Sequence, residues 1–110
     1  MLSKTNRLRK ERDFENLFKR GKSFKKDFLI LRVVQNNLGD SRFGFIVSQK
    51  VSKKAVLRNK IKRRLRDIVG RNIEEIIKGR DVALIVLPGF EKKSFLETKE
   101  ALENLLKNIK

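Results

Sequence analysis

Apolar residues recur along this chain with two different periods, and each period marks a different kind of element. Phe14, Leu17 and Phe18 share one helical face behind Asp13, a residue type suited to capping, and Gly21 follows as a stop. This predicts a helix over Asp13 to Arg20. From Phe24 to Gln35, and again from Arg42 to Ser48, the residues are β-branched, aromatic or aliphatic. The turn formers Asn36, Asn37, Gly39 and Asp40 lie between them, so the two stretches read as an antiparallel pair of strands, with room for one extra break in the longer first stretch. Leu57, Ile61, Leu65 and Ile68 return to helical spacing and predict a long helix over Ala55 to Gly70. Asn72 to Lys78 can continue it and Gly79 can terminate it. Asp81 to Leu87 is a short apolar run closed by Pro88-Gly89, as a buried strand requires. Ser94 and Glu97 then form an S-x-x-E capping box ahead of Phe95, Leu102, Leu105, Leu106 and Ile109, which predicts a final helix. The order α-β-β-α-β-α, with one further strand if the first stretch breaks, implies an α+β fold: an α-β sandwich of helices on a mainly antiparallel sheet. With 110 residues and no linker or repeat, one core and one domain spanning 1–110 are expected.

Charge changes the picture from fold to partner. The chain carries 29 Lys and Arg against 13 Asp and Glu, a net charge of +16, which opposes compaction and asks for a polyanion. The excess is not spread evenly. Residues 50–66 hold nine cations and no acid, residues 1–32 hold eleven cations and four acids, and the rest of the chain is balanced. The binding surface is therefore expected from the N-terminal segment and from residues 50–66, with Arg7, Arg9, Lys50, Lys53 and Lys54 as additional basic contacts. No stretch approaches the roughly 18 apolar residues of a spanning helix, and residues 1–10 lack the apolar centre of a secretory signal. Both point to the cytoplasm.

The side chains present also limit the chemistry. There is no His and no Cys, so disulfides, Cys/His zinc sites and any nucleophile or base built on those groups are excluded. Carboxylate pairs holding metal ions could still cut RNA, but the acids are scattered, without a D-x-D or D-x-E cluster. No catalytic residue and no metal ligand is therefore assigned; chemistry belongs to a partner.

On the helix from Ala55, Arg58, Lys62 and Arg66 stack at successive turns beside the apolar stripe, and Asn59 and Arg63 form a second row next to them. Guanidinium groups can bridge phosphate oxygens, and an Asn amide among them can reach a base edge or a 2′-hydroxyl. A plain solvated face would mix both signs. An acid-free one reads as a nucleic-acid surface.

The segment Ala55-Val56-Leu57-Arg58-Asn59-Lys60-Ile61-Lys62-Arg63-Arg64-Leu65-Arg66-Asp67 resembles the signature A-V-x-R-N-R-I-K-R-x-x-R-E of the bacterial ribonuclease P protein family. The similarity extends to Arg12-Asp13-Phe14 with Phe18 and Gly21, to Gly44-Phe45-Ile46-Val47-Ser48, to Asp81-Val82 and to the capped last helix. Lys60 stands where Arg is usual and Asp67 where Glu is; Gln49 and Ser52 replace the more typical Lys and Gly.

That resemblance implies a subunit that binds a large catalytic RNA, which with its magnesium ions removes the 5′ leader of precursor tRNA. Arg58, Asn59, Lys60, Lys62, Arg63 and Arg66 carry over as contacts to the catalytic RNA. The leader is expected in a cleft between the first helix and the sheet, with Arg12, Phe14, Phe18 and, on the first strand where the family often has Tyr, Leu31. By spacing alone Phe14 and Phe18 would read as core; the resemblance turns them toward the leader. It further implies that binding of metal by the complex is strengthened, and that two parallel strands are joined through the basic helix by a left-handed crossover, against the usual hand. A ribosomal or other structural RNA-binding protein would suit the charge and size equally well, while a self-sufficient endoribonuclease lacks the residues it would need.

Overall fold

A computed structural model describes residues 6–8, 10–36, 38–73 and 78–109. Its elements are α1 (Glu11–Arg20), β1 (Lys22–Lys26), β2 (Leu29–Gln35), β3 (Arg42–Val47), α2 (Ala55–Asn72), β4 (Arg80–Val86) and α3 (Phe95–Leu106), with short 3-10 turns at Phe90–Lys92 and Lys107–Ile109. The α+β order holds, including the extra strand. The long first stretch breaks at Asp27, whose φ is +54°, and β1 folds back antiparallel on β2.

One strand pairing differs from expectation. Phe24–Gln35 and Arg42–Ser48 are not partners; the sheet order is β1-β2-β4-β3. β4 lies between them, antiparallel to β2 and parallel to β3. Its sequence explains the central place: Val82, Ala83 and Leu84 are buried in succession, so both faces of the strand are covered, as an interior strand requires. The connection from β3 to its parallel neighbour β4 runs through α2.

Side chains alternate between two faces of this sheet. Leu29, Leu31, Phe43, Val47, Val82, Leu84 and Val86 face α2 and α3 and form the main core with Ile61, Leu65, Ile68, Val69, Leu102, Leu105 and Leu106. The opposite face carries α1, whose Leu17 and Phe14 cluster with Ala83 and Val34 of the sheet and with Leu8 of the N-terminal segment. On α2 the buried residues begin at Ile61. Leu57, expected in the stripe, is 41% exposed because the first turn precedes the helix's contact with the core. Phe95 is likewise exposed at the start of α3.

Four helix ends show where the boundaries fall. α3 begins with the full capping box: Glu97 N–H donates to Ser94 Oγ, and the Ser94 N–H donates back to the Glu97 carboxylate. α1 starts at Glu11 rather than at Asp13, with Lys10 at the cap and no side-chain capping bond. Asp13 sits inside the first turn because its carboxylate is taken by Arg42. α1 stops at Gly21, where a Cβ would stand 2.4 Å from the Leu17 carbonyl oxygen. α2 ends at Asn72; most of the proposed continuation, residues 74–77, lies outside the described residues, and Gly79 follows with φ +82°.

Candidate nucleic-acid interface

α2 turns Ile61, Leu65, Ile68 and Val69 inward, so its charged rows must face away. Asn59, Lys60 and Arg63 are exposed, and Arg58, Lys62 and Arg66 are half-buried at the flank. Of these, Arg58 is tethered, since its guanidinium donates to the Ser52 carbonyl at 2.9 Å. Arg66 lies over the Phe45 ring, 5.7 Å from its centroid. Lys50, Lys53 and Lys54 are exposed just ahead of the helix. All six residues of the basic motif thus lie on α2, and these three lysines on the segment that leads into it. The first carboxylate on the helix is Asp67, which pairs with Arg71 at 3.8 Å.

The second group of residues is split by the structure. Phe14 lies against the sheet: a Cβ on Gly44 would come within 2.4 Å of its ring, so the glycine makes room for the phenylalanine. Phe18 is 43% exposed and Arg12 is exposed. Leu31 does not belong with them. It is wholly buried in the main core, on the far side of the sheet from α1, because the period-two alternation of β2 sends residues 29 and 31 one way and residues 30 and 32 the other. Arg32 takes the place assigned to Leu31. Its guanidinium donates to the carbonyls of Phe18 at 2.7 Å, Gly21 at 3.0 Å and Leu17 at 3.4 Å, and to Ser23 Oγ at 2.8 Å.

Register builds the floor beside α1. Arg32, Ala83 and Gly44 form one cross-strand row, and Ile30, Ile85 and Ile46 form the next row on the same face. All three isoleucines are only half-buried. A half-open strip of apolar surface next to Phe18 and Phe14, edged by cations, suits unstacked bases. Sequence reasoning missed Arg32 and these isoleucines; the charged residue inside Leu-Ile-Leu-Arg-Val-Val was the available signal, since an arginine in an apolar strand must find partners.

Two acids do converge. Asp81 is buried and accepts both Arg42 Nε at 2.9 Å and Arg42 Nη2 at 2.7 Å, together with the Asn36 amide at 2.8 Å. Asp13 accepts from Arg42 as well, at 3.2 Å. The hydrogen bond that Arg42 donates to Asp81 raises the Arg42 pKa above its ordinary value. With Arg42 bonded to both carboxylates the pair acts as a fold clamp. Among the described residues no group of three or more potential metal ligands occurs. Of the N-terminal cations, Arg7 pairs with Phe43 across the edge of β3, whereas Arg9 lies outside the described residues.

Comparison with known proteins matches this arrangement to one family. The ribonuclease P family model matches residues 2–110. The ribonuclease P protein component of a Synechocystis strain is 42% identical over 105 residues, covering 92% of this chain and 85% of the relative. Among solved structures, the RNase P protein from Thermotoga maritima, bound to a fluorophenyl thiourea, superposes with a TM-score of 0.87 at 39% identity, covering 94% of this chain and all of the other. The Staphylococcus aureus RNase P protein gives a TM-score of 0.85 at 30% identity, with 94% of each chain covered.

Proposed function

The chain belongs to the ribonuclease P protein family, the protein component of the endoribonuclease of tRNA 5′ maturation, and from that premise we propose a division of labour between its two surfaces. The outer side of α2 docks the catalytic RNA, and the open strip between α1 and the sheet takes the single-stranded 5′ leader of precursor tRNA. The observation that carries the first assignment is the outer face of α2, with Asn59, Lys60 and Arg63 exposed and Lys62 half-buried beside them, inside a segment of nine cations without an acid. Each cation can neutralise a phosphate and release counterions, which supplies affinity without sequence preference. The leader assignment is supported by Phe18 and the isoleucine row, where bases can stack or pack without being read one by one.

On this reading the protein binds and positions while the RNA cleaves. The magnesium ions implied by the family belong to the RNA, since the carboxylates this chain brings together are held by Arg42. Family membership sets aside the ribosomal alternative. The reading also places the protein in the cytoplasm with its substrate; no described helix is long and apolar enough to cross a membrane. Reconstitution tests it: the pure protein is incubated with precursor tRNA, with and without a bacterial ribonuclease P RNA. Leader removal only in the presence of the RNA, at lower magnesium and with tighter substrate binding than the RNA achieves alone, is the expected result. Cleavage by the protein alone would overturn it.

A further inference from the structure

A cavity of about 190 Å³ opens at the β3 edge of the sheet, beside α2. Its walls are Arg7 from the N-terminal segment, Phe14 from α1, Phe43 and Phe45 on either side of Gly44, and Arg66 from α2. Three features set its chemistry. Two guanidinium side chains share it and none of its lining residues is acidic, so it offers positive charge to an anion. Arg7 Nε is buried there without an acceptor among the described residues, and folded proteins rarely leave a buried donor unpaired. The remaining walls are flat: Phe45 is exposed enough to line the cavity and carries the Arg66 guanidinium over its ring. Sites for drug-sized molecules run to roughly 300–1,000 Å³, so this one admits a single ring system, and a duplex is too broad to enter it.

We propose that this cavity is a binding site for one unpaired nucleotide of the catalytic RNA. A phosphate oxygen accepts from Arg7 Nε, and the base lies against Phe45 and the Arg66 guanidinium. The inference rests on the reading that α2 docks that RNA, and it assigns the occupant to the same RNA because Arg66 continues the α2 rows and the cavity opens at the β3 edge. The isoleucine floor, by contrast, runs across the middle of the sheet. A bound nucleotide would also tie the N-terminal segment to α2, two parts of the chain that each carry a block of excess charge.

The test uses full-length Arg7→Met and Phe45→Leu, each melted thermally and then titrated by filter binding with a bacterial ribonuclease P RNA over a salt series. Each variant should bind roughly ten- to a hundredfold more weakly. The two losses should differ in kind. Arg7→Met removes a phosphate contact and should lower the salt slope by about 0.7–0.9, whereas Phe45→Leu should leave the slope unchanged. The double variant should lose less than the product of the single losses, because both residues hold one nucleotide. If Phe45→Leu loosens the core, Arg7→Met still decides, since Arg7 lies outside both core clusters. Parental affinity in folded Arg7→Met overturns the proposal. So does a loss confined to discrimination between precursor and mature tRNA, which would make the occupant a leader nucleotide. Lys60, Lys62 and Arg63 serve as the reference: if their triple alanine variant loses the RNA while the cavity variants keep it, only the cavity inference fails. If the triple variant also binds normally, the docking reading itself fails.

Discussion

Arg32 holds Phe18 from two directions: its guanidinium donates to the Phe18 carbonyl at 2.7 Å and lies 5.8 Å from the centroid of the Phe18 ring. The same group donates to the last carbonyls of α1, where a cation also complements the helix dipole. One side chain on β2 thus fixes the end of the helix and the attitude of the exposed aromatic.

Phe18→Ala is expected to weaken precursor tRNA binding by the holoenzyme by roughly 1–3 kcal/mol, the worth of one stacked base, while mature tRNA, which has no leader, binds as before. With the ring this exposed, the melting temperature should shift little. Arg32→Met should show part of the same loss together with a destabilisation of about 1–2 kcal/mol from the released carbonyls. Comparing precursor with mature tRNA affinity and melting each variant checks both outcomes; equal losses for the two tRNAs would remove the leader from this cleft.

Asp81→Asn breaks the clamp between β3, β4 and α1. Removing one partner of a buried ion pair costs up to about 3–5 kcal/mol, and the partial exposure of Arg42 brings the figure toward or below the lower end of that range. A denaturant titration should show a fall in midpoint of that size with RNA affinity per folded molecule unchanged.

The two carbonyl-rich and carboxylate-rich contacts just described show where the sequence stops being legible. Helix positions, the capping box and the acid-free face of α2 follow from spacing and residue type, and those were readable. The place of β4 between β2 and β3 was not, because pairing partners are chosen by tertiary packing and Asn36–Asp40 looks like any hairpin connection. Leu31 was misplaced for a related reason: in Leu-Ile-Leu-Arg-Val-Val both faces are apolar, so alternation alone cannot tell which parity faces α1. Phe14 became interpretable only once Gly44 was known to lie beneath it.

The α3 cap should depend on pH. The Ser94 N–H, followed by its side chain, holds the Glu97 carboxyl below its ordinary value of 4.5. A depressed carboxyl contributes stability that is fully present above the ordinary value and is lost as pH falls through the folded-state pKa. Parent and Glu97→Gln should therefore differ in melting temperature at neutral pH and converge in acid. Ser94→Ala should cost about 1 kcal/mol at neutral pH. A difference that persists unchanged into acid would contradict the capping role.

Charge should dominate assembly. If about 6–10 phosphates are neutralised, affinity for the catalytic RNA falls by roughly 10³–10⁵ between 50 and 200 mM monovalent salt. Filter binding across that range measures it, and a nearly flat curve would mean that α2 contributes shape rather than charge.

The most direct measurement is the affinity of the Lys60→Ala, Lys62→Ala, Arg63→Ala triple variant for a bacterial ribonuclease P RNA at moderate salt. These side chains make no hydrogen bond or ion pair with other described residues, so the melting temperature should match the parent. The account predicts a loss of RNA affinity and a salt slope lower by about two to three. Parental affinity with a parental slope in the folded triple variant would contradict the claim that α2 is the surface on which this protein meets its RNA.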